Sequence, residues 1–588
     1  MAKRNVLVLG INDGHDAGAA LINNGRVVAA IQEERLNNIK HFTGVPERSI
    51  LEVFNIAKAH PCEVSLIALV SYDPPGIENL QSFSTKTLVK LSPLLHSDSY
   101  IRFYTNYKKN HRSFKLLKKV FQKLGLIGTE TIVIEHQIAH ASVAYRSSPW
   151  GYGNNRGSNG KGNETVPEVL ILTADGSGDA LSSTVNIGRQ GLIERIAFSS
   201  YYDSLGNAFY SEITRFLGLK PWDHENKIMG LAPYGKAEYC IDRIRKIIRI
   251  DDNKPLRFQN TIGAIGSNIQ PKLKKLLANQ RFDNIAAAAQ QHLEDLMKKW
   301  VENAIRLTGI KNVACAGGIF LNVKVNKLLR ESKELEDIFF YPAPDDEGSP
   351  VGAALQGYYE FCLREGIRPE HTPIADTYYG PSYDNDELIK DILVKKNGNS
   401  KWKYELCHDI DKTAAELIVK GKILARCAGG VEWGPRALGN RSIIADPQDM
   451  RIIHKINFAI KQRDFWMPFA PSILEERKED YLIDAEFAPY MIMAFDSTTT
   501  KEGGDKIPAT IHPYDRTCRP QTLRREWNPH YYKIIKTFED STGIGAILNT
   551  SFNLHGYPMV GTPEMALWTF ENSKLDALLL GNYLVSKY

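Results

Sequence analysis

The sequence predicts an α/β protein in which one strand–acidic turn–strand design occurs twice, ahead of a turn-rich last third. Three observations carry that prediction. Short runs of Val, Ile and Leu, the length of strands, alternate with helix-forming stretches. Two of these runs enter acidic, Gly-containing turns, at Asp13-Gly14 and at Asp175-Gly176. A third enters a Gly-Gly turn at Gly317-Gly318 and then a helix. At 588 residues the chain forms roughly two to four domains, each able to bury a core.

A hydrophobic fraction of 43% and a charged fraction of 24% are ordinary for a soluble protein. The net charge of +5 is small for this length. It counts against an extended nucleic-acid surface, though not against phosphate-sized anions. No apolar run is long enough to span a bilayer, and Met1-Ala2-Lys3-Arg4-Asn5 leads straight into a strand without a secretory leader, so a cytoplasmic location is expected. The seven cysteines are scattered, odd in number and free of C-x-x-C, which fits reduced thiols better than a disulfide frame. Without secretion, the sequon Asn163-Glu164-Thr165 reads as coincidence.

Taken in order, Val6 to Gly10 is a strand and Ile11 to Asp16 a tight turn, with Gly14 allowing an unusual backbone angle. Ala19 to Ile22 returns, Asn23-Asn24-Gly25 signals a hairpin, and Arg26 to Ile31 is a third strand. A helix around Ile50 to Ala59 packs on this unit. The design recurs in Val169 to Thr173, the turn Asp175 to Asp179, and Ser182 to Asn186, with Gly188-Arg189 in the place of Gly25-Arg26. Two such turns facing each other can hold phosphates and a metal, because turn glycines admit anions to backbone N–H groups while aspartates take the ion. Two unrelated Asp-Gly hairpins are the alternative.

Between the repeats, Tyr107 to Leu124 has the spacing of a basic amphipathic helix, either a solvated face or a cover for a charged substrate. Thr131 to Ile134 is a buried strand, and Glu135 to Ser142 turns into a helix. His136 and His140, four apart, place both imidazoles on one face. They either bind one metal ion, with oxygen ligands from elsewhere, or form a hydrogen-bonded structural pair. Gly151 to Glu164 is expected to be a mobile loop. Leu205-Gly206-Asn207 and His224 to Leu231 are loop-to-helix segments with polar side chains for a cleft.

Val313 to Ala316 runs into Gly317-Gly318 and a helix near Leu321; the missing side chains let a purine or ribose lie on the backbone. Asp345 and Asp346, ahead of a helix opening at Gly352, are capping residues or metal ligands. A proline-containing connector, about 366 to 383, closes the first domain. Strand, acidic turn, strand, twice over, then strand, Gly-Gly, helix resembles the acetate kinase, sugar kinase, Hsp70 and actin superfold, in which two related α/β halves clasp ATP.

In the last third, Ile423 to Arg426 is a strand into Gly429-Gly430. The runs Glu432 to Ser442, Lys461 to Pro471, Arg519 to Thr522 and Ala546 to Asn553 are dense in turn residues, arginines and hydroxyl groups. Cations on constrained loops make a site for a polyanion such as ATP or an acyl phosphate. Ordinary surface charge is the alternative, although it rarely sits in a run as glycine- and proline-constrained as 429 to 442.

The runs EWGPRALGNRSIIAD (432 to 446), IKQRDFWMPFAPSIL and LNTSFNLHGYPMVGTPEMAL resemble the NodU/CmcH family of O-carbamoyltransferases. INDGHDAGAAL, HQIAHASVAY, DGSGDA, KIMGLAPYG, AGGIFLNV and DEGSPVGAA follow the family order, so the resemblance covers nearly the whole chain. It implies a Kae1-like domain of the actin/Hsp70/sugar-kinase superfold at 1–370, and a YrdC-like α/β domain at 371–588. In the family the second domain turns ATP, with Mg2+, and carbamoyl phosphate into carbamoyl adenylate, releasing pyrophosphate and phosphate. The first domain then transfers the carbamoyl group to a hydroxyl.

By motif position the resemblance makes His136, His140, Asp175 and Asp346 ligands of Fe(II) or a similar divalent transition metal. It sets Asp13 and His15 against the acceptor alcohol, one of them as general base. Gly206, Gly317, Gly318 and Asn322 line the adenylate, and Arg436, Arg441, Lys461, Arg463, Arg519, Asn549, Ser551 and Asn553 hold ATP and carbamoyl phosphate. Trp466-Met467 stands where relatives often carry an arginine before Pro468, so one phosphate contact of the YrdC-like site is either absent or supplied elsewhere. The implied partner is a small-molecule alcohol of the secondary-metabolite kind, with no nucleic acid and no membrane; a homodimer is compatible with it. Competing readings are a threonylcarbamoyl-type tRNA modifier built from the same domain types, to which +5 gives little support, an ATP-dependent sugar kinase, and a non-catalytic binding protein.

Overall fold

The computed structural model describes residues 5–70, 112–151, 167–399, 402–498 and 506–588. The start of the expected basic helix, at 107–111, and most of the expected loop at 151–164 lie outside the described residues; from Arg112 to Leu124 the chain is helical. Two units emerge. One holds Met1–Glu33 and Phe42–Ala375, the other Glu34–His41 and Asp376–Tyr588. The break therefore falls at 375/376, against 370/371 expected, and eight residues near the start, 34–41, belong to the second unit.

The first unit contains two five-stranded sheets. One is built from β1 (Leu7–Asn12), β2 (Gly18–Asn23), β3 (Arg26–Gln32), β4 (Val64–Val70) and β5 (Thr131–Ile134) in the order β3-β2-β1-β4-β5. The other uses β6 (Val169–Gly178), β7 (Leu181–Arg189) and β8 (Leu192–Ser200). A separate hairpin, β9 (Ile248–Asp251) with β10 (Lys254–Asn260), intervenes. Then β11 (Asn312–Ala316) and β12 (Asp337–Phe340) complete the order β12-β11-β6-β7-β8. In each sheet three strands run as an antiparallel meander and the first of them pairs in parallel with a later strand, which pairs in parallel with the last. One plan is thus used twice, as the actin and sugar-kinase superfold requires. β1 and β4 read as near-continuous apolar runs because parallel pairing puts crossover helices against both faces.

The repeat differs in detail from the sequence expectation. Gly188-Arg189 is not a turn: both lie in β7, and a Cβ at Gly188 would come 2.8 Å from the Tyr145 ring. The counterpart of the Asn24-Gly25 turn (φ 48° and 78°) is Gln190-Gly191 (φ 49° and 84°). The equivalent acidic residues are Asp16 and Asp179, each two positions before its returning strand, with φ 48° and 51°. Among the elements that carried no expectation are β4, β8, the β9–β10 hairpin and the 27-residue helix Phe282–Thr308. The helix expected at 50–59 spans Glu47–Ala57 and ends at a left-handed Lys58.

Helix Ser349–Arg364 lies across β1 and against helix His136–Ser147. The approach needs bare backbone. A Cβ at Gly10 would sit 2.0 Å from the Pro350 carbonyl oxygen, and one at Gly352 2.0 Å from that of Ala139. These two glycines let the metal-facing ends of both helices converge.

The second unit is one eight-stranded mixed sheet plus a two-stranded ribbon. Its strands are β13 (Trp402–Leu406), β14 (Leu424–Cys427), β15 (Arg441–Ala445), β16 (Ala470–Leu474), β17 (Phe495–Asp496), β18 (Thr517–Cys518), β19 (Gln521–Leu523), β20 (Ala546–Ser551), β21 (Ala577–Leu580) and β22 (Tyr583–Lys587). The sheet order is β13-β22-β21-β14-β15-β20-β16-β19, and β17 pairs with β18. Strand alternation divides the apolar side chains between two cores. Leu424, Ile444 and Leu579 pack with helices Ile410–Val419 and Pro529–Thr542. Ala425, Ile443 and Leu578 pack with Asp386–Lys396, Arg451–Ile456 and Pro563–Glu571. Among the described residues no helix is long and apolar enough to cross a membrane.

Gly10→Val places a branched side chain inside the 2.0 Å approach to Pro350 and costs at least about 1–3 kcal/mol of stability. Gly398→Ala, with no atom within 4 Å, serves as the control. Urea unfolding followed by circular dichroism shows a lower midpoint for the first and an unchanged one for the second.

Candidate metal centre and anion pocket

Three segments of the first unit deliver four ligand-type side chains to one buried point. The helix after β5 brings His136 and His140, the end of β6 brings Asp175, and the turn Asp346–Gly348 brings Asp346. The two Nε2 atoms are 3.1 Å apart. His136 Nε2 lies 3.1 Å from Asp175 Oδ2 and 3.2 Å from Asp346 Oδ1, and His140 Nε2 lies 3.8 and 3.4 Å from the same oxygens. All four residues are buried. Ligands about 2.0–2.2 Å from a zinc-like ion are roughly 3–3.6 Å from one another, so these separations are the edges of a coordination polyhedron.

Local contacts hold each arm. The His136 N–H donates to Asp179 Oδ2 at 2.8 Å, and the bare Cα of Gly178 leaves room for the ring, since a Cβ there would lie 2.1 Å from it. Asp345 accepts from the Asp346 N–H at 2.9 Å, and the Gly318 N–H donates to Asp175 Oδ1 at 3.2 Å. Asn12 ties in the first acidic turn: its Nδ2 donates to the His15 carbonyl at 2.7 Å and to that of Asp346 at 3.4 Å, and its Oδ1 accepts from Gly14.

The donor set passes the test of fitting a divalent transition metal. Asp346 Oδ1 is buried without a hydrogen-bond partner, and the two facing imidazole nitrogens, which otherwise share one N–H between them, can both turn lone pairs to a cation placed among the four side chains. Neither Nδ1 has a partner, so packing, including the edge-on contact of the two rings at 4.7 Å, sets their orientation. Burial opposes a charge on His136, but Asp346 and Asp175 outweigh it and push the imidazole well above its ordinary range. Burial likewise works to raise Asp346, but the histidines hold it well below the usual carboxylate range.

Asp13 and His15 lie half-buried on the first acidic turn. His15 Nδ1 is 3.1 Å from Asp16 Oδ2 and 4.0 Å from Asp346 Oδ2. Burial works to lower His15; the hydrogen bond and charge of Asp16, then Asp346 and Asp345, overcome it and raise the group to about 9. Asp16, a neighbour that sequence reading left in the turn without a role, is therefore part of the site. Its left-handed backbone, shared with Asp179, is the signal that marked it.

Of the expected adenylate residues, Gly206 packs on Gly176, where a Cβ would meet the Gly176 Cα at 3.0 Å. Gly317 has φ 105° and lies against the Ala174 carbonyl, so this glycine is already required by contact within the protein. Asn322 caps helix Val323–Arg330 through the Val325 N–H at 3.2 Å and forms a reciprocal amide pair with Gln290 at 2.9 and 3.0 Å.

In the second unit Arg436, Lys461, Arg463 and Arg519 converge. Burial first, then the Arg436 and Arg463 guanidiniums, hold Arg519 well below the ordinary arginine range. Burial, with Arg463 and Lys40, does the same to Lys461, and burial brings Arg463 to about 10. Among the described residues no carboxylate acts on these three groups. Lys461 Nζ donates to the Ser551 carbonyl, to Ser551 Oγ at 3.1 Å and to Asn553 Oδ1. Asn549 lies between the Ala437 carbonyl (3.2 Å) and Ser472 Oγ (3.0 Å).

Arg441 stands apart. It is 0% exposed, and its guanidinium donates to the carbonyls of Ala428, Gly429 and Asn440, so it braces the glycine turn and offers no donor to solvent. Glu432, to which sequence reading gave no role of its own, fixes the loop: Oε1 accepts from the N–H groups of Leu438, Asn440 and Arg441 at 2.9, 2.8 and 3.0 Å.

Family comparison matches residues 7–355 to the carbamoyltransferase N-terminus and residues 415–587 to the carbamoyltransferase C-terminus. An uncharacterised protein of Methanocaldococcus jannaschii is 33% identical over 99% of this chain and 100% of its own length. The nodulation protein NolNO of Sinorhizobium fredii is 32% identical over 97% of this chain and 79% of its own. Nodulation protein U of Bradyrhizobium diazoefficiens is 26% identical, covering 93% and 92%.

His140→Ala removes one of two imidazoles from a four-donor set; we expect roughly tenfold or greater loss of transition-metal affinity, read as metal per chain by mass spectrometry after dialysis, with the circular dichroism spectrum retained. His15 gives a pH signature in metal-stripped protein. Because its folded value lies above its unfolded one, its contribution is complete below 6.5 and is lost as pH rises through about 9. The gap in Tm between wild type and His15→Gln should shrink across that window.

Proposed function

This chain belongs to the carbamoyltransferase family and is an enzyme of that class, and we propose that it is an ATP-dependent O-carbamoyltransferase drawing on carbamoyl phosphate, with two reaction centres in one polypeptide. What supports the reading most is the pairing, in one chain, of a buried two-imidazole, two-carboxylate point with a cationic pocket on whose Lys461, Arg463 and Arg519 no described carboxylate acts.

In the second unit Arg436, Lys461, Arg463 and Arg519 bind the phosphates of ATP, with its Mg2+, and of carbamoyl phosphate. Cations whose pKa values burial has lowered favour anions strongly, since a bound anion offsets the hydration that burial has removed. Ser551 and Asn553 keep Lys461 Nζ aimed. Water cleaves carbamoyl phosphate to carbamate and phosphate, and the carbamate oxygen attacks the α-phosphate of ATP, forming carbamoyl adenylate and releasing pyrophosphate. Adenylation matters because a carbamate is a poor electrophile and AMP is a good leaving group.

In the first unit the carbamoyl carbon passes to the acceptor hydroxyl. His136, His140, Asp175 and Asp346 would hold a divalent transition metal of the Fe(II) kind, which would supply Lewis-acid polarisation of the carbonyl. Gly317 and Gly318 present backbone to the adenylate. His15 or Asp13 takes the hydroxyl proton. The acceptor is a small-molecule alcohol, with neither nucleic acid nor membrane as partner.

Incubation with ATP, carbamoyl phosphate, Mg2+ and ferrous iron tests the reading. Wild type releases pyrophosphate and adds a carbamoyl mass to one member of a panel of hydroxylated metabolites. Lys461→Ala lowers pyrophosphate release by roughly a hundredfold. His140→Ala still releases pyrophosphate but makes no carbamate. Loss of pyrophosphate release in His140→Ala defeats the division of labour, and consumption of the adenylate by tRNA but not by alcohols identifies a tRNA modifier instead.

A further inference from the structure

A second set of carboxylates lies beside the four-residue centre and is not among its four ligand-type side chains. Asp16, Asp345 and Glu347 each bring an oxygen to one place, all within 4.8 Å of one another. They come from two segments, the first acidic turn and the turn that also carries Asp346. Asp16 and Glu347 are buried, and Glu347 is only 3% exposed. Its Oε1 has no hydrogen-bond partner, which for a charged oxygen in the interior is costly by several kcal/mol unless a cation or a proton meets it.

We propose that Asp16, Asp345 and Glu347 form a second cation site, for a hard divalent ion of the Mg2+ or Mn2+ type. The donor set is all oxygen, in contrast to the two-nitrogen, two-oxygen set next to it, and that difference in softness sorts the two ions between the sites. Three protein oxygens leave the remaining octahedral positions to water or to phosphate oxygens, the usual manner in which Mg2+ meets a substrate. The neighbouring Asp345 and Asp346 then each serve a different ion from one turn, so filling one site orders the other. The ion's place beside the transfer centre suits it to hold an anionic leaving group.

The test is metal binding by the full-length protein without nucleotide, and so is independent of any carbamoyl transfer. The four-ligand centre is first filled with Zn2+, and Mn2+ is then titrated and followed by electron paramagnetic resonance. Wild type should bind one Mn2+ equivalent beyond the Zn2+, while Glu347→Gln and Asp345→Asn bind it roughly tenfold or more weakly and keep their Zn2+. Mg2+ should raise the Tm of wild type and leave that of Glu347→Gln unchanged, a readout that also shows the variant is folded. No second equivalent at millimolar Mn2+, or unaltered Mn2+ binding by Glu347→Gln, would show that the three carboxylates share protons instead and would overturn the proposal.

Discussion

Two buried imidazole nitrogens 3.1 Å apart, faced by two carboxylates, make a point in the first unit that is suited to a cation. Much of the first unit serves that point. The helix carrying both rings approaches helix Ser349–Arg364 only because Gly352 has no side chain, and the ring of His136 fits only because Gly178 has none. The turn bearing Asp346 is fixed by its own neighbour, Asp345, and is sewn through Asn12 to the opposite acidic turn. The duplicated sheet supplies symmetry: each half ends a central strand in an acidic turn, and a left-handed aspartate, Asp16 or Asp179, redirects each chain into the returning strand.

The second unit solves the opposite problem, holding cations close together where few anions reach. It does so with backbone. The loop from Glu432 to Arg441 is shaped by one carboxylate oxygen that collects three N–H groups, and Arg441 fills the space beneath with its donors on carbonyls. A conserved-looking charge can therefore be scaffold, while its neighbour Arg436, five residues earlier on the same loop, faces Arg519. Only contacts distinguish the two, and both look alike in sequence.

What sequence made legible follows from range of interaction. The paired histidines four apart, the acidic turns and the Gly-Gly step are local patterns, and the four metal-type side chains that motif position indicated do lie together. The helix Phe282–Thr308 carried no expectation because its Ala-rich, mixed surface lacks a motif, although its periodicity is helical. Strand β4 is a plain apolar run between less regular segments, and its partner β1 lies over fifty residues away. Gly188-Arg189 misled because a Gly-Arg pair signals a turn only when the backbone turns there; in β7 the glycine is instead demanded by Tyr145. The role of Glu432 depends on where the loop folds the N–H groups of Leu438, Asn440 and Arg441, which spacing does not reveal.

The eight residues from Glu34 to His41 have a consequence for handling the molecule. They are synthesised in the first tenth of the chain, yet they are grouped with the last 213 residues, where Arg35 donates to the Gly434 carbonyl at 2.8 Å and forms an ion pair with Glu34. No single scission separates the two units intact. A fragment starting at Asp376 lacks a piece of its own interior, and a fragment ending at Ala375 carries that piece with nothing to bury it. A strap made at the outset must wait for the last-made unit, so the two units are inherited and expressed as one object.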